Sequence, residues 1–328
     1  MRFTLSEDQN EIKRTARDLL AARAGTAALR EHAEAGRYDE ALWKELGGLG
    51  WPGIAIAEEH GGQGLGLVEL CVLAEELGYA CATVPFLGSA LAALALEAAG
   101  DTEWLPRLAS GEARGAFGAA DGLIPDAPGA DVIVVIDAEG NGTLVEPGAV
   151  ETVDSIDSTR RYGRVATPDG QPLGDLCGAL GRALVTVSAE LVGVSQRALD
   201  MSIAYVKDRK QFGVPVGSFQ AVQHRGAQML LDTEGGRSAT FFAAWTADAE
   251  PERLATAAAM AKAWTSDRAR DATASAIQLH GGIGFTWEAD VHWFFKRAQL
   301  DAHFLGSAGT HRARLSTLVA AERATTAA

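Results

Sequence analysis

From about residue 180 to the carboxyl end, alanine, leucine and charged residues alternate at helical spacing, and the pattern breaks only around 212–218 and 281–286. Apolar residues recurring every three or four positions make one stripe of a helix apolar, and long helices joined by short breaks bury such stripes by packing antiparallel. Nearly half of the chain is thereby constrained to a helical bundle. The two breaks are the places in this half where backbone is free to serve something other than packing.

Both breaks have the chemistry of an anion site. The first reads Arg209-Lys210-Gln211-Phe212-Gly213-Val214-Pro215-Val216-Gly217-Ser218-Phe219-Gln220, and the second Ala276-Ile277-Gln278-Leu279-His280-Gly281-Gly282-Ile283-Gly284-Phe285-Thr286-Trp287. In the second, Gln278 stands three residues before a Gly-Gly pair that closes an alanine-rich run. Glycine permits the close backbone approach that a pyrophosphate needs, and unpaired N–H groups at a helix end favour anions. The same pair also serves as a left-handed helix cap. His224 and His280 adjoin the two breaks, where they suit either orienting phosphate or stabilising the turns.

Composition narrows the class. At 328 residues, 47% hydrophobic and 22% charged, the chain can bury a large core and hold two or three domains. No window reads as apolar over the ~20 residues of a membrane span, and the start, Met1 to Gln9, lacks the apolar core of a secretion signal. Cys71, Cys81 and Cys177 have neither metal-ligand spacing nor an even disulfide set, which fits a reduced, cytoplasmic protein and small buried side chains. The net charge of -14 argues against nucleic acid. Local arginines can still bind the phosphates of CoA or FAD.

The first ~110 residues read as helices. Ser6, followed by Glu7 and Asp8, caps a helix with Ile12, Ala16, Leu19 and Leu20 at helical spacing. Further helices are expected over 40–49, 67–77 (carrying Glu75 and Glu76) and 88–99, with a break at Pro85. The glycine-rich stretch 61–66 follows no strand and precedes no Lys-Ser or Lys-Thr pair, so it is a connector rather than a phosphate loop. Between 111 and 172 the pattern changes. Residues 131–137 form a continuous β-branched run, and Glu139-Gly140-Asn141-Gly142 is turn chemistry leading into Thr143-Leu144-Val145, a hairpin.

The Arg-x-x-Phe-Gly and Gln-x-x-Gly-Gly segments together resemble the acyl-CoA dehydrogenase family. The similarity runs through 1–110 and 178–325, and includes the Ala57-Glu58-Glu59-His60-Gly61-Gly62 turn. It implies a mainly α fold: an amino-terminal helical domain (1–110), a central β domain (111–172) and a carboxyl-terminal antiparallel four-helix bundle (173–328) that forms the core of a dimer of dimers. It also implies that Arg209, Gln211, Phe212, Gln278, Gly281 and Gly282 contact the ADP half of an FAD held mainly by a neighbouring subunit. Ser307 takes the place of a further cofactor contact, and Gly309 replaces a glutamine there. The family's flavin-lining β segments, Thr-Glu-Pro-x-x-Gly-Ser-Asp and Gly-x-Lys-x-Trp-Ile-Thr, are missing; residues 115–122 stand there, so the β domain reads as abbreviated.

The family's reaction, α,β-dehydrogenation of an acyl thioester, needs a carboxylate to remove the α proton while hydride passes to the flavin. The resemblance puts that carboxylate in a Tyr-Glu-Gly-Thr segment, matched here by Phe304-Leu305-Gly306-Ser307, or on the first bundle helix at or beside Ala183. Neither Leu305 nor Ala183 accepts a proton. Glu190, seven residues beyond Ala183, returns to nearly the same helix face about 10 Å on. It is the candidate base, or else a helix glutamate paired within the bundle. Glu288 reads as structural. Asp232, Arg237 and residues 243–245 resemble the family's long bundle helix; Arg237 is expected on CoA phosphate or on a solvated face, and Trp245 and Trp264 in the core or an interface.

Two functions follow. One is a complete homo-oligomeric enzyme using Glu190 or another base. The other is a non-catalytic subunit that completes a partner's FAD site, as in the α2β2 acyl-CoA dehydrogenases of actinobacterial steroid side-chain degradation, whose shorter subunit this chain resembles. The resemblance further implies a longer acyl-CoA dehydrogenase partner, an acyl-CoA substrate, possession of FAD by the assembly and electron-transfer flavoprotein as acceptor.

Overall fold

The computed structural model describes residues 4–165 and 169–327. Its organising element is a 32-residue helix, α7 (Cys177–Asp208), buried along most of its length. Around it pack α4 (Leu67–Ala80), α8 (Gln220–Ala249), α9 (Leu254–His280) and α10 (Val291–His303). Two glycines set how closely α4 approaches α7. A Cβ on Gly193 would lie 1.9 Å from the Glu75 carbonyl oxygen, and one on Gly78 would lie 2.3 Å from that of Glu190. Any larger residue at either position would push the helices apart, and with them the side chains at Glu75, Glu76 and Glu190.

α7 is long and apolar enough to cross a membrane by composition, against the expectation that no window is. Within the protein, 78% of its most apolar 18-residue window is buried, so its apolarity serves the bundle.

The amino-terminal helices are α1 (Glu7–Arg23), α2 (Thr26–Glu34), α3 (Glu40–Gly48), α4, α5 (Phe86–Ala98) and α6 (Leu105–Ala109). Ser6 caps α1 reciprocally: its hydroxyl accepts from the Gln9 N–H at 3.1 Å, while the Ser6 N–H donates to the Gln9 side chain at 2.8 Å. Stretch 61–66 is a connector, as read. α2 and α6 had no expectation attached, being short and weakly patterned.

Between α6 and α7 lie two small sheets. One has the order β1-β3-β4-β7, from β1 (Gly115–Ala119), β3 (Val132–Ile136), β4 (Asn141–Val145) and β7 (Gly170–Asp175). β3 and β4 form the expected hairpin, with Ile136 opposite Gly142, whereas β1 runs parallel to β3. The second sheet has the order β2-β6-β5, from β2 (Ile124–Pro125), β5 (Val150–Val153) and β6 (Tyr162–Val165). The loop 154–161 between β5 and β6 reaches back to α7 and α10. The expected β region 111–172 includes residues 166–168, which lie outside the described residues.

α9 ends at His280, where Gly281 adopts φ +64° and a 3-10 turn, Gly281–Phe285, follows. A final helix, α11 (Ala308–Ala327), packs on α9.

Candidate functional site

The two breaks in the bundle come together in space. Arg209, Gln211, Val216, Ala221 and Val222 from and just after the first break and residues 278–283 from the second line one cleft of about 650 Å³. The first break is a miniature hairpin, β8 (Lys210–Gln211) with β9 (Val214–Pro215), tied by Gln211 opposite Val214. Its two-residue turn, Phe212-Gly213, has φ +54° and +82°. A type I′ hairpin turn needs positive φ at both positions, which Gly213 accepts freely and Phe212 adopts at a cost. That strained phenylalanine is 92% exposed, in edge contact with Phe219 at 6.2 Å between ring centroids. It does not line the cleft, although its neighbour Gln211 does.

Arg209 forms no ion pair among the described residues, so its guanidinium is free for an anion. Gly281 and Gly282 present open backbone, with no atom within 4 Å of a would-be Cβ. This donor set fits the pyrophosphate of a dinucleotide. His280 has a different part. Its ring stacks on Tyr205 with centroids 4.6 Å apart, and Nδ1 lies 2.7 Å from the Ala276 carbonyl oxygen. A carbonyl only accepts, so Nδ1 carries the proton, and burial lowers the imidazole pKa and keeps it neutral. Nε2 is then a bare acceptor, suited to a hydroxyl or amino group rather than to phosphate. His224 is exposed on α8 and does not line this cleft.

Glu190 does not face a cleft. It is 3% exposed, and its Oε1 accepts from Arg160 at 2.8 Å and from Arg297 at 2.6 Å. Arg297 on α10 also donates to Asp157 at 2.8 Å and to the Thr159 hydroxyl at 2.6 Å; Arg160 donates to Asp301 at 3.1 Å and stands 3.6 Å from Asp126. Asp126 in turn accepts from the Tyr38 hydroxyl at 2.6 Å and from the Gly88 N–H at 2.8 Å. All of these charged side chains are at least 95% buried. Both guanidiniums engage the same oxygen, Oε1, while Oε2 is buried without a hydrogen-bond partner among the described residues. The alternative reading of Glu190, a paired helix glutamate, fits this geometry.

The count of charges in this junction has a consequence. Two guanidiniums face four carboxylates, so full ionisation would leave an excess of two negative charges in a dry interior. Burial and the neighbouring Glu190 carboxylate push Asp301 up to about 8, and burial raises Asp126 as well. Both shifts favour the protonated acid and so relieve the excess negative charge.

The seats where the resemblance looks for a base are both shaped and empty. Ala183 is buried on α7. Leu305 adopts φ +57° followed by Gly306 at +108°, and packs against the main core. The turn is held from beneath: the buried Lys262 ammonium donates to Ser266 at 2.8 Å and to the carbonyls of Asp301 at 3.0 Å and Ala302 at 3.2 Å, and His311 Nε2 lies 3.0 Å from the Leu305 carbonyl. Burial lowers the Lys262 pKa to about 7, but the carbonyl end of α10 favours its charged form. Ser307 stands away from the Arg209 cleft, and its hydroxyl accepts from the Thr310 N–H at 3.2 Å at the start of α11.

Other expected residues are placed as follows. Arg237 is partly buried in the wall of a separate cleft beside the start of α1, and donates to Glu75 at 3.1 Å and Gln196 at 2.9 Å, while also pairing with Glu234. Trp264 is 43% exposed on α9 and donates to the Asp232 carbonyl at 3.1 Å. Exposed Leu230 and Leu231 lie on neighbouring α8. Glu288 is exposed, and its main-chain oxygen accepts from Arg30 at 3.4 Å. Cys71 and Cys81 are buried; Cys177 is exposed, against expectation. No group of three or more metal-ligating side chains occurs among the described residues.

Sequence reasoning missed Arg160, Arg297, Asp157, Asp301 and Asp126, and also Tyr205 and Arg225 in the open cleft. Arg297 carried a usable signal. On α10 it shares a face with Trp293 and Phe294, and a cation on an apolar stripe needs a buried acid. Arg160 and Asp157 sit in an irregular loop whose sequence gives no such periodicity.

The comparisons agree with this architecture. Residues 6–112 match the model of the acyl-CoA dehydrogenase amino-terminal domain, and residues 177–319 that of its carboxyl-terminal domain. The chain is 36% identical over 309 residues to the acyl-CoA dehydrogenase IpdE2 of Mycobacterium tuberculosis, covering 93% of this chain and 95% of that one. Among solved structures, a chain of the Tcur3481–Tcur3483 steroid ACAD (G363A variant) superposes with a TM-score of 0.88 at 30% identity, covering 98% of this chain and 100% of that one. One from the ChsE4–ChsE5 complex of Mycobacterium tuberculosis shares the fold, with a TM-score of 0.85 at 24% identity and coverage of 98% and 99%. With its helical ends, interposed sheets and Arg209–Gln278 cleft, the chain belongs to the acyl-CoA dehydrogenase family of FAD-dependent oxidoreductases.

Proposed function

We propose that this chain is the non-catalytic subunit of a heteromeric acyl-CoA dehydrogenase, completing the FAD site of a longer partner. The observation that carries the reading is the contrast within one chain. The cleft for the ADP half is open and has a free guanidinium, while the junction between the sheets and the bundle is closed, its carboxylates buried in ion pairs. A self-sufficient enzyme would need that junction open, because the thioester, the base and the hydride-accepting ring of FAD must meet there in a water-poor cleft.

The similar proteins support the reading. Two similar solved structures each pair two named proteins, the Tcur3481–Tcur3483 steroid ACAD and the ChsE4–ChsE5 complex. The first is described as a steroid ACAD, so a steroid side-chain CoA thioester is the substrate we assign. FAD supplies the hydride acceptor, and electron-transfer flavoprotein is the onward acceptor by family likeness. The chain's part is to hold the pyrophosphate through Arg209, Gln278 and the Gly281-Gly282 backbone, with Gln211 in the cleft wall and the exposed Phe212 of the hairpin turn as a further contact. A cytoplasmic location and the three-part division at 110 and 172 belong to the same reading.

The test is flavin content. The chain purified alone is expected to be colourless, and co-expression with a longer acyl-CoA dehydrogenase subunit is expected to give a yellow complex with one FAD per unlike pair. Arg209→Ala in that complex should weaken FAD retention by about 1.5–3 kcal/mol, the worth of a charge-assisted contact. A lone yellow oligomer carrying one FAD per chain and bleached by acyl-CoA would refute the proposal.

A further inference from the structure

Arg225 lies on the second turn of α8 and lines the same cleft as Arg209, although it is outside both sequence segments that drew attention to the site. Its guanidinium reaches across to α9, 3.3 Å from the Ser275 hydroxyl, and forms no ion pair among the described residues. In a chain with 43 acidic and 29 basic side chains, most arginines find a carboxylate; two unpaired guanidiniums on one cleft are a conspicuous surplus of positive charge. The placement is unfavourable by itself. α8 has no side-chain cap at Phe219, its first turn (Ala221, Val222) lines the cleft, and a cation close to a helix N-terminus is repelled by the helix dipole. An anion between Arg209, Arg225 and that helix end removes both penalties at once.

We infer that Arg225 is a second phosphate-binding residue of this cleft, so that the diphosphate of a nucleotide is gripped from two sides, by Arg209 on the hairpin and by Arg225 on α8. The inference rests on the reading of the cleft as an ADP site and extends it to a residue and a charge state. A diphosphate, with its two charged groups, matches two guanidiniums; a single phosphate matches one. The cleft should therefore discriminate by phosphate number.

The probes are ADP, AMP and adenosine, titrated calorimetrically into the wild-type chain and into Arg209→Ala, Arg225→Ala and Arg225→Lys. Arg225 is exposed, so its replacements should fold, which an unchanged circular dichroism melt would verify. Wild type is expected to prefer ADP to AMP. Arg225→Ala should lose about 10- to 100-fold in ADP affinity with adenosine unaffected, and Arg225→Lys should recover part of the loss, because it keeps the charge without the planar fork. If Arg209→Ala weakens ADP binding and Arg225→Ala does not, Arg225 is not a contact and the inference falls while the reading of the cleft stands. If neither change matters, or if the wild-type chain ignores ADP at about 10 mM, well above a weak site's Kd, both fall together.

Discussion

The Arg209–Arg225 cleft and the Arg160–Arg297 junction are both built from paired arginines, yet they are opposite devices. In the cleft, the guanidiniums are exposed, lack carboxylate partners and stand beside bare glycine backbone. In the junction, they are 5% and 1% exposed and face more carboxylates than they can neutralise. What an arginine does is decided by what has already claimed it. The cleft has unspent binding capacity. The junction is closed to solvent, and in a family whose chemistry needs an accessible carboxylate, that closure argues for a subunit that supports catalysis elsewhere.

The largest effect is expected where the junction is broken. Arg297→Ala leaves Glu190, Asp157 and Thr159 without their shared donor, and removing one partner of a buried ion pair costs about 3–5 kcal/mol. Thermal unfolding should show a large drop in Tm, with ADP affinity of the protein that remains folded unchanged. A stable Arg297→Ala protein would mean that the junction is wet and open. A smaller loss, about 1.5–3 kcal/mol for a hydrogen bond to a charged group, is expected from Glu190→Gln. This variant also decides between strut and base. In a complex with its partner, turnover per bound FAD should be retained; a complex that binds FAD normally and has lost turnover would restore Glu190 as the base.

The bundle and the open cleft were legible in the sequence because they are local. Helical periodicity identified 180–328, and each half of the cleft is a contiguous segment, 209–220 or 276–287, whose glycines and polar residues stand out against alanine-rich helix. The junction was illegible because it is assembled from residues up to 141 positions apart, as in Arg160 to Asp301. Glu190 shows the limit most plainly. Its spacing from Ala183 correctly gave a helix face, but whether that face meets solvent or two arginines depends on the loop 154–161, which has no periodic pattern. The sheets were half legible for a related reason. The β-branched run of β3 announces a buried strand, while β7, Gly-Gln-Pro-Leu-Gly-Asp, is mostly exposed and carries no apolar alternation.

The finest test of the contrast is titration, since the junction holds a carboxyl group whose pKa burial raises. Asp301 has its folded pKa raised to about 8, against the ordinary carboxylate value of 3.8 in the unfolded chain. The folded state therefore binds more protons than the unfolded state between those limits, and stability falls as pH rises through that window and levels off above about 8. Lys262 works the other way. With its pKa lowered to about 7 from 10.5, it favours the folded state as pH rises from 7 towards 10.5, so the wild-type profile alone blends the two. Asp301→Asn separates them, because it keeps an acceptor for Arg160 and removes the titration. The stability of wild type minus that of Asp301→Asn should decline between pH 5 and 8 and be flat above about 8.5, measured by denaturant unfolding. A difference that rises with pH would mean that Asp301 is ionised and stabilised by Arg160, hence that the guanidiniums outweigh the carboxylates and one of them is available after all. The junction would then be a second anion site, and the distinction between the two arginine pairs would collapse.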